Sequence, residues 1–194
     1  MKNITVFCGS NSGFRTDYAE AARILARLFV RENIRLVYGG GNVGLMGIIA
    51  DEVMRAGGEV IGIIPDSLDK KEVGHRRITE LRVVGSMHER KAQMAELADG
   101  FIAMPGGIGT FEEFFEILTW AQLGFHEKPC AVLNIAGYYN GLLALCDNAV
   151  AEGFLRPAHR QLILEDSNPE ILLEKMRNLK PLPVEKWLER EEEL

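Results

Sequence analysis

The sequence predicts an α/β fold, a single doubly wound parallel sheet with helices on both faces. Three observations carry that prediction. Short β-rich runs alternate with helical stretches along the whole chain. Several of those runs are continuously apolar, as central parallel strands covered on both sides must be. Three of them end in glycine-rich turns that lead straight into a helix, the arrangement that gathers ligand-binding loops at one edge of such a sheet.

The elements follow in order. Residues 4–8 form an apolar strand that runs into Gly9-Ser10-Asn11-Ser12-Gly13, and a helix is predicted over 17–32. The second strand, 34–38, meets Gly39-Gly40-Gly41-Asn42-Val43-Gly44 before a helix over 45–56. Strands over 59–64 and 81–84 flank the loop that holds Lys70-Lys71-Glu72-Val73. A helix over 87–98 carries the apolar stripe Met87, Met94, Leu97 and Ala98. Strand 101–104 opens into Pro105-Gly106-Gly107-Ile108-Gly109-Thr110, and the helix over 111–123 is apolar around most of its circumference. Strand 130–134, a helix over 139–152 and a strand over 162–164 complete the alternation. Ser167-Asn168-Pro169-Glu170 reads as a capping box with proline in the first turn of a last helix. The chain has 194 residues, within the roughly 200 that one core sustains. The expected organisation is one domain over 1–180 and a charged tail over 181–194, with a frayed surface helix over 185–194.

Composition excludes several function classes. The net charge of −6 argues against nucleic acid, which needs a basic face, so an anionic ligand has to be held by local groups. No apolar run approaches the roughly 20 residues that span a bilayer. A polar, glycine-rich stretch follows the first strand too soon for a secretory signal. Cys8, Cys130 and Cys146 are odd in number and set in apolar surroundings, which predicts reduced thiols and a cytoplasmic protein. No metal is expected: the four histidines lack ligand spacing, and His88-Glu89 is followed by Ala92 where a zinc helix needs its second histidine.

Chemistry concentrates near the glycine turns. Glycines 106, 107 and 109 let the backbone approach a ligand, and the following helix adds the positive end of its dipole, a combination suited to phosphate. No Lys-Ser or Lys-Thr pair closes this turn, so it is not a Walker loop. The competing reading makes it a tight turn with Thr110 as N-cap. Thr110-Phe111-Glu112-Glu113 also fits a capping box, so Glu113 is either a side chain closing its own helix or a carboxylate facing a ligand. Arg90 and Lys91 fall on the apolar stripe of their helix, where two cations must snorkel outward or meet an anion in a pocket. The second turn satisfies the G-x-G-x-x-G dinucleotide fingerprint. It lies in the second strand–helix unit, however, and its acidic partner is met only loosely by Asp66, which disfavours nicotinamide binding.

Pro105-Gly106-Gly107-Ile108-Gly109-Thr110-Phe111-Glu112-Glu113 resembles the P-G-G-x-G-T-x-x-E signature of the Lonely guy family, the cytokinin-activating phosphoribohydrolases often labelled lysine decarboxylases. The resemblance extends to Val6-Phe7-Cys8-Gly9-Ser10, Val37-Tyr38-Gly39-Gly40-Gly41, Gly44-Leu45-Met46-Gly47, Met87-His88-Glu89-Arg90-Lys91 and Thr119-Trp120-Ala121-Gln122-Leu123-Gly124, and covers residues 3 to 165. Asn11 departs from it, standing where many relatives have a second serine.

The resemblance implies a Rossmann-like homodimer, or an assembly of dimers. It further implies hydrolysis of plain or N6-modified adenosine 5′-monophosphates to free base and ribose 5-phosphate. By motif position it makes Arg90 and Glu113 the catalytic pair. Lys91, Gly106, Gly107, Gly109, Thr110, Glu112 and Thr119 become substrate contacts, with Ile108 and Phe111 in the same stretch and Ser10 and Gly41 from the other two turns. Glu72 is a further contact, in the least securely matched loop. Glu113, near a helix N-terminus, is expected to stay ionised. No cofactor is expected, since no motif marks a Schiff-base lysine for pyridoxal chemistry. The alternative from another class is a nucleotide sensor of the same fold, which would have no need of an Arg90–Glu113 pair.

Overall fold

The computed structural model describes residues 1–72 and 74–180, leaving out the side chains of Lys71 and Glu72; the tail over 181–194 lies outside the described residues. Seven strands form one all-parallel sheet: β1 (Asn3–Phe7), β2 (Arg35–Tyr38), β3 (Val60–Pro65), β4 (Glu80–Val84), β5 (Gly100–Ala103), β6 (Cys130–Leu133) and β7 (Ile163–Asp166), in the order β4-β3-β2-β1-β5-β6-β7. The chain winds outward from β1 to β4, then returns across the sheet to lay β5 on the free side of β1. The winding reverses between β1 and β5, and in a doubly wound sheet the ligand crevice opens at such a switch point, beyond the C-terminal strand ends.

The predicted helices form as α1 (Thr16–Arg31), α2 (Gly44–Arg55), α4 (Met87–Leu97), α5 (Ile108–Gln122), α6 (Asn140–Ala151) and α8 (Pro169–Arg177). Two short helices, α3 (Asp66–Glu72) and α7 (Pro157–Arg160), and a 3-10 turn, Ile135–Gly137, lie in stretches with too few residues to show a helical period. One core fills the face beneath α1, α2 and α8, with Leu25, Phe29, Ile49 and Leu172 wholly buried. A second fills the face beneath α4, α5 and α6, around Phe101, Phe114 and Tyr139. Burial on both faces is why β1, β2, β3, β5 and β6 read as continuous apolar runs. The three cysteines are buried free thiols, and no described helix is long and apolar enough to cross a membrane.

Two caps differ from expectation. Asn168, not Ser167, caps α8: its side chain accepts from the N–H groups of Glu170 and Ile171 at 2.8 and 3.4 Å. Helix α5 begins at Ile108 with Gly107 as N-cap and no side-chain cap bond. Thr110 therefore lies inside the helix, and the Thr110–Glu113 capping box does not form.

Candidate functional site

The three glycine turns meet, and Gly9 joins them. Its N–H donates to the Pro105 carbonyl at 3.1 Å, and its own carbonyl accepts from the Leu45 N–H at 3.0 Å. Turns after β1, β2 and β5 are thereby fastened together at the C-terminal edge of the sheet. The second turn is braced from outside by a Gly41–Gly74 bridge and by the His75 N–H, which donates to the Gly40 carbonyl at 2.9 Å.

A cleft of about 300 Å³ opens at the switch point, walled by Gly9, Ser10, Asn11, Ser12, Gly13 and Tyr18 on one side and by Pro105, Gly106, Gly107 and Tyr138 on the other. Larger hollows of about 670 and 710 Å³ lie at the opposite, N-terminal edge of the strands, lined by residues such as Asn3, Arg82, Asn33 and Gly57. Strand topology, not size, picks the smaller one. At its edge Gly107 begins α5, whose first N–H groups have no partners within the helix and suit an anion.

Beside the cleft, α4 and α5 bring the charged residues together. Arg90 Nη1 lies 3.1 Å from Glu113 Oε1, and both side chains are 11% exposed. The guanidinium is held from behind, its Nε donating to the Ile63 carbonyl at 3.1 Å and Nη1 to Met87 Sδ at 3.2 Å. Met87 itself is half-exposed, so the predicted stripe on α4 is buried mainly through Met94 and Ala98. Lys91 Nζ reaches Glu112 at 2.5 Å and Glu116 at 2.9 Å. Neither cation snorkels outward; both are nearly buried and paired with carboxylates of α5.

The electrostatics of Glu113 and Lys91 differ in cause. Burial pushes the Glu113 carboxyl above its ordinary range, Arg90 opposing and Glu112 reinforcing the shift. Glu113 sits in the second turn of α5, beyond the reach of the dipole effect, so the expected stabilisation of its ionised form by the helix end is absent, and Arg90 opposes the upward shift without overcoming it. Burial pulls the Lys91 ammonium downward, but its bonds to Glu112 and Glu116 outweigh that, and its net shift is upward.

The remaining predicted residues fall as follows. Ser10, Gly106 and Gly107 line the cleft. Thr110 is buried; a Cβ at Gly106 would lie 2.1 Å from its Oγ1. Gly109 has open space around it, Ile108 is exposed, and Phe111 packs against the Tyr139 ring at 6.3 Å. Thr119 is not brought to the cleft: its hydroxyl donates to the Phe115 carbonyl of its own helix at 2.7 Å, on the exposed side of α5. Glu72 ends α3, and its side chain lies outside the described residues.

Sequence reasoning missed Tyr18 and Tyr138. They meet edge to face across the cleft, centroids 5.7 Å apart, although 120 residues separate them in the chain. Tyr138 is set by a kink in which Ala136 (φ 52) and Gly137 (φ 72) both take left-handed backbone. For alanine that conformation costs roughly 1–2 kcal/mol. A Gly-Tyr-Tyr after a buried strand was the available signal.

The chain is similar to known proteins in sequence and in fold. The family model described as "Possible lysine decarboxylase" matches residues 46–176. A protein of Oryza sativa subsp. japonica named "Probable cytokinin riboside 5'-monophosphate phosphoribohydrolase" is 49% identical over 94% of this chain and 80% of its own length. A cytokinin riboside 5′-monophosphate phosphoribohydrolase of Arabidopsis thaliana is 48% identical over the same shares, and another from that plant is 47% identical over 93% of this chain and 85% of its own. Among solved structures, the molybdenum cofactor binding protein of Rippkaea orientalis superposes with a TM-score of 0.68 at 24% identity, over 91% of this chain and 96% of that one. The molybdenum cofactor carrier protein of Chlamydomonas reinhardtii gives 0.64 at 19%, over 90% and 99%. At such identities the structural likeness concerns the fold alone. Sequence likeness at nearly half identity over almost the full length goes further: the chain belongs to the Lonely guy family of phosphoribohydrolases, the family whose model bears the lysine decarboxylase description.

Proposed function

We propose that this chain hydrolyses the N-glycosidic bond of a plain or N6-modified adenosine 5′-monophosphate, releasing the base and ribose 5-phosphate. The observation that carries the reading is the Arg90–Glu113 pair, nearly buried, 3.1 Å apart and beside a glycine-walled cleft at the switch point. Its relatives carry the same activity in their names.

The chemistry follows from the groups. Leaving of the base builds positive charge on the ribose, as in glycoside hydrolysis. Glu113, whose proton affinity is raised by burial, stabilises that charge and takes a proton from the attacking water. The water oxygen bonds to C1′, the C1′–N9 electron pair leaves with the base, N9 or another ring nitrogen takes up a proton from solvent, and Glu113 returns its proton to solvent. Arg90, fixed at Ile63 and Met87, holds Glu113 and orients phosphate or ribose oxygens. Backbone N–H groups at Gly106–Thr110, with Ser10 and Gly41, take the 5′-phosphate, and that remote binding positions the reacting bond. Lys91 serves through Glu112 and Glu116, which it neutralises. An ammonium clamped between two carboxylates is also the opposite of what a Schiff-base lysine requires, which speaks against amino-acid decarboxylation.

The assembly is a homodimer. The outer side of α5 presents Phe115 and Leu123, with Phe125 and Ile108 at its ends, and a second copy would cover them. Thr119 lies on this side, three turns along α5, and meets substrate only at a partner's cleft. The unpaired cysteines suit the cytoplasm.

Incubation with a panel of nucleotides and nucleosides, followed by chromatography, tests the proposal. Free base and ribose 5-phosphate are expected from the monophosphates, and adenosine is expected to be poorer by on the order of 10²-fold in kcat/KM. Nucleotide binding with no base released from any member of the panel would leave a sensor instead.

A further inference from the structure

Two adjacent tyrosines hold the same stretch of backbone. The Tyr139 hydroxyl donates to the Met104 carbonyl at 2.7 Å, and the Tyr138 hydroxyl donates to the Gly106 carbonyl, so the pair grips the chain on both sides of Pro105. Their rings meet nearly perpendicular, 5.1 Å apart. Beyond this they differ. Tyr139 is buried in the core beneath α6, whereas Tyr138 lines the cleft opposite the turn of Ser10–Gly13.

We propose that Tyr138 is a positioning residue for the phosphate of the substrate. The Gly106 carbonyl belongs to the cleft wall, and an unpaired carbonyl oxygen there repels an anion. The Tyr138 hydroxyl occupies it. Because a trans peptide is planar, with its C=O and N–H opposed, holding that oxygen also fixes the direction of the Gly107 N–H at the mouth of α5. The Tyr138 ring, edge to face with Tyr18, closes the side of the cleft over the same peptide. The attachment of Tyr138 is independent of α5, so one hydroxyl on a separate segment sets the geometry of the turn. The backbone kink at Ala136 and Gly137 places it there, while Asn134 anchors the next residue by accepting from the Tyr139 N–H at 2.8 Å.

This inference rests on the phosphoribohydrolase reading, and the experiment separates the two. Tyr138→Phe keeps the ring and removes the hydroxyl. Wild type and variant are compared for turnover of adenosine 5′-monophosphate and for calorimetric binding of ribose 5-phosphate. The variant is expected to raise KM and weaken ribose 5-phosphate binding on the order of 10-fold, with kcat changed less than about threefold and melting unchanged, because the peptide that holds the phosphate loses its orientation while the reacting groups stay in place. Tyr139→Phe, by contrast, should lower the melting temperature. Unchanged KM and unchanged ribose 5-phosphate binding in Tyr138→Phe overturn the assignment alone. A variant whose kcat and melting temperature fall together, with KM unmoved, shows a structural hydroxyl and overturns it as well. Wild-type protein that neither cleaves the nucleotide nor binds ribose 5-phosphate overturns both readings.

Discussion

The glycine turns after β2 and β5 look alike in sequence and answer to different demands. In the turn after β2 the fold itself needs Gly40 and Gly44, and Gly39 leaves the room that Arg90 occupies. A Cβ at Gly39 would lie 2.1 Å from Arg90 Nη2, Gly40 and Gly44 have φ of 78 and 57, and a Cβ at Gly44 would lie 2.3 Å from the carbonyl carbon of Ser10. In the turn after β5 only Gly106 is so confined; a Cβ at Gly107 or Gly109 would meet nothing within 4 Å. Gly107 also has φ −97, which alanine adopts freely. Within the dinucleotide fingerprint Gly44 is thus met for reasons of packing and Gly39 for the room beside Arg90, while the turn after β5 leaves open space at Gly107 and Gly109.

The largest expected effect tests what the first turn of that comparison seats. Glu113→Gln leaves Arg90 in place but removes the charge opposite it, and kcat should fall on the order of 10²- to 10³-fold while the nucleotide still binds. Near-normal base release from this variant would end the catalytic assignment. Gly39→Ala is next. The new methyl displaces the far end of Arg90, a flexible group, so melting should change little while kcat/KM drops about 10- to 100-fold. Loss of folding with no selective loss of activity would mean the turn serves architecture alone.

Gly107→Ala sharpens the other side. Melting should stay within a few degrees of wild type, because the residue has space and an ordinary φ, while KM rises roughly 10-fold as the methyl crowds the phosphate. An unchanged KM would remove the ligand from this turn. The smallest effect is in pH dependence. The Glu113 pKa is raised by burial, so the acid limb of kcat should lie above the ordinary carboxylate range. The same shift has a sign for stability. A folded-state pKa above the unfolded one favours the protonated protein, so this contribution is fully present below the unfolded pKa and is lost as pH rises through the folded value. Melting curves of wild type and Glu113→Gln should therefore converge toward low pH and shift in favour of the variant as pH rises through that window.

Much of this was legible in the sequence for a physical reason. Strands buried on both faces cannot hide their apolar runs, and the three turns after β1, β2 and β5 announce one edge of the sheet. Arg90 and Lys91 were visible as cations on the wrong face of α4. What each cation meets was not visible, because Glu112, Glu113 and Glu116 stand on another helix, and adjacent residues on α4 diverge to different partners. Thr110-Phe111-Glu112-Glu113 fits a capping box without forming one, because T-x-x-E describes a helix end only if the helix begins there, and α5 begins at Ile108 with Gly107 as its cap. Tyr18 and Tyr138 stayed hidden because their meeting depends on how β1 and β6 are placed around β5 and on a kink at Ala136.

The strand order also governs when the molecule can begin to work as it leaves the ribosome. β1 is made first and lies at the centre of the sheet, yet its partner β5 emerges half a chain later, with Ile4 pairing to Gly100. At synthesis rates of about 5–20 residues per second, one side of β1 waits unpaired for roughly 5–20 s, an open strand edge that invites wrong partners or a chaperone. Arg90 and Glu113 come from the helices on either side of β5 in the chain, so they pair only after β5 has been made. An active nascent chain is therefore one whose sheet has already closed at its centre.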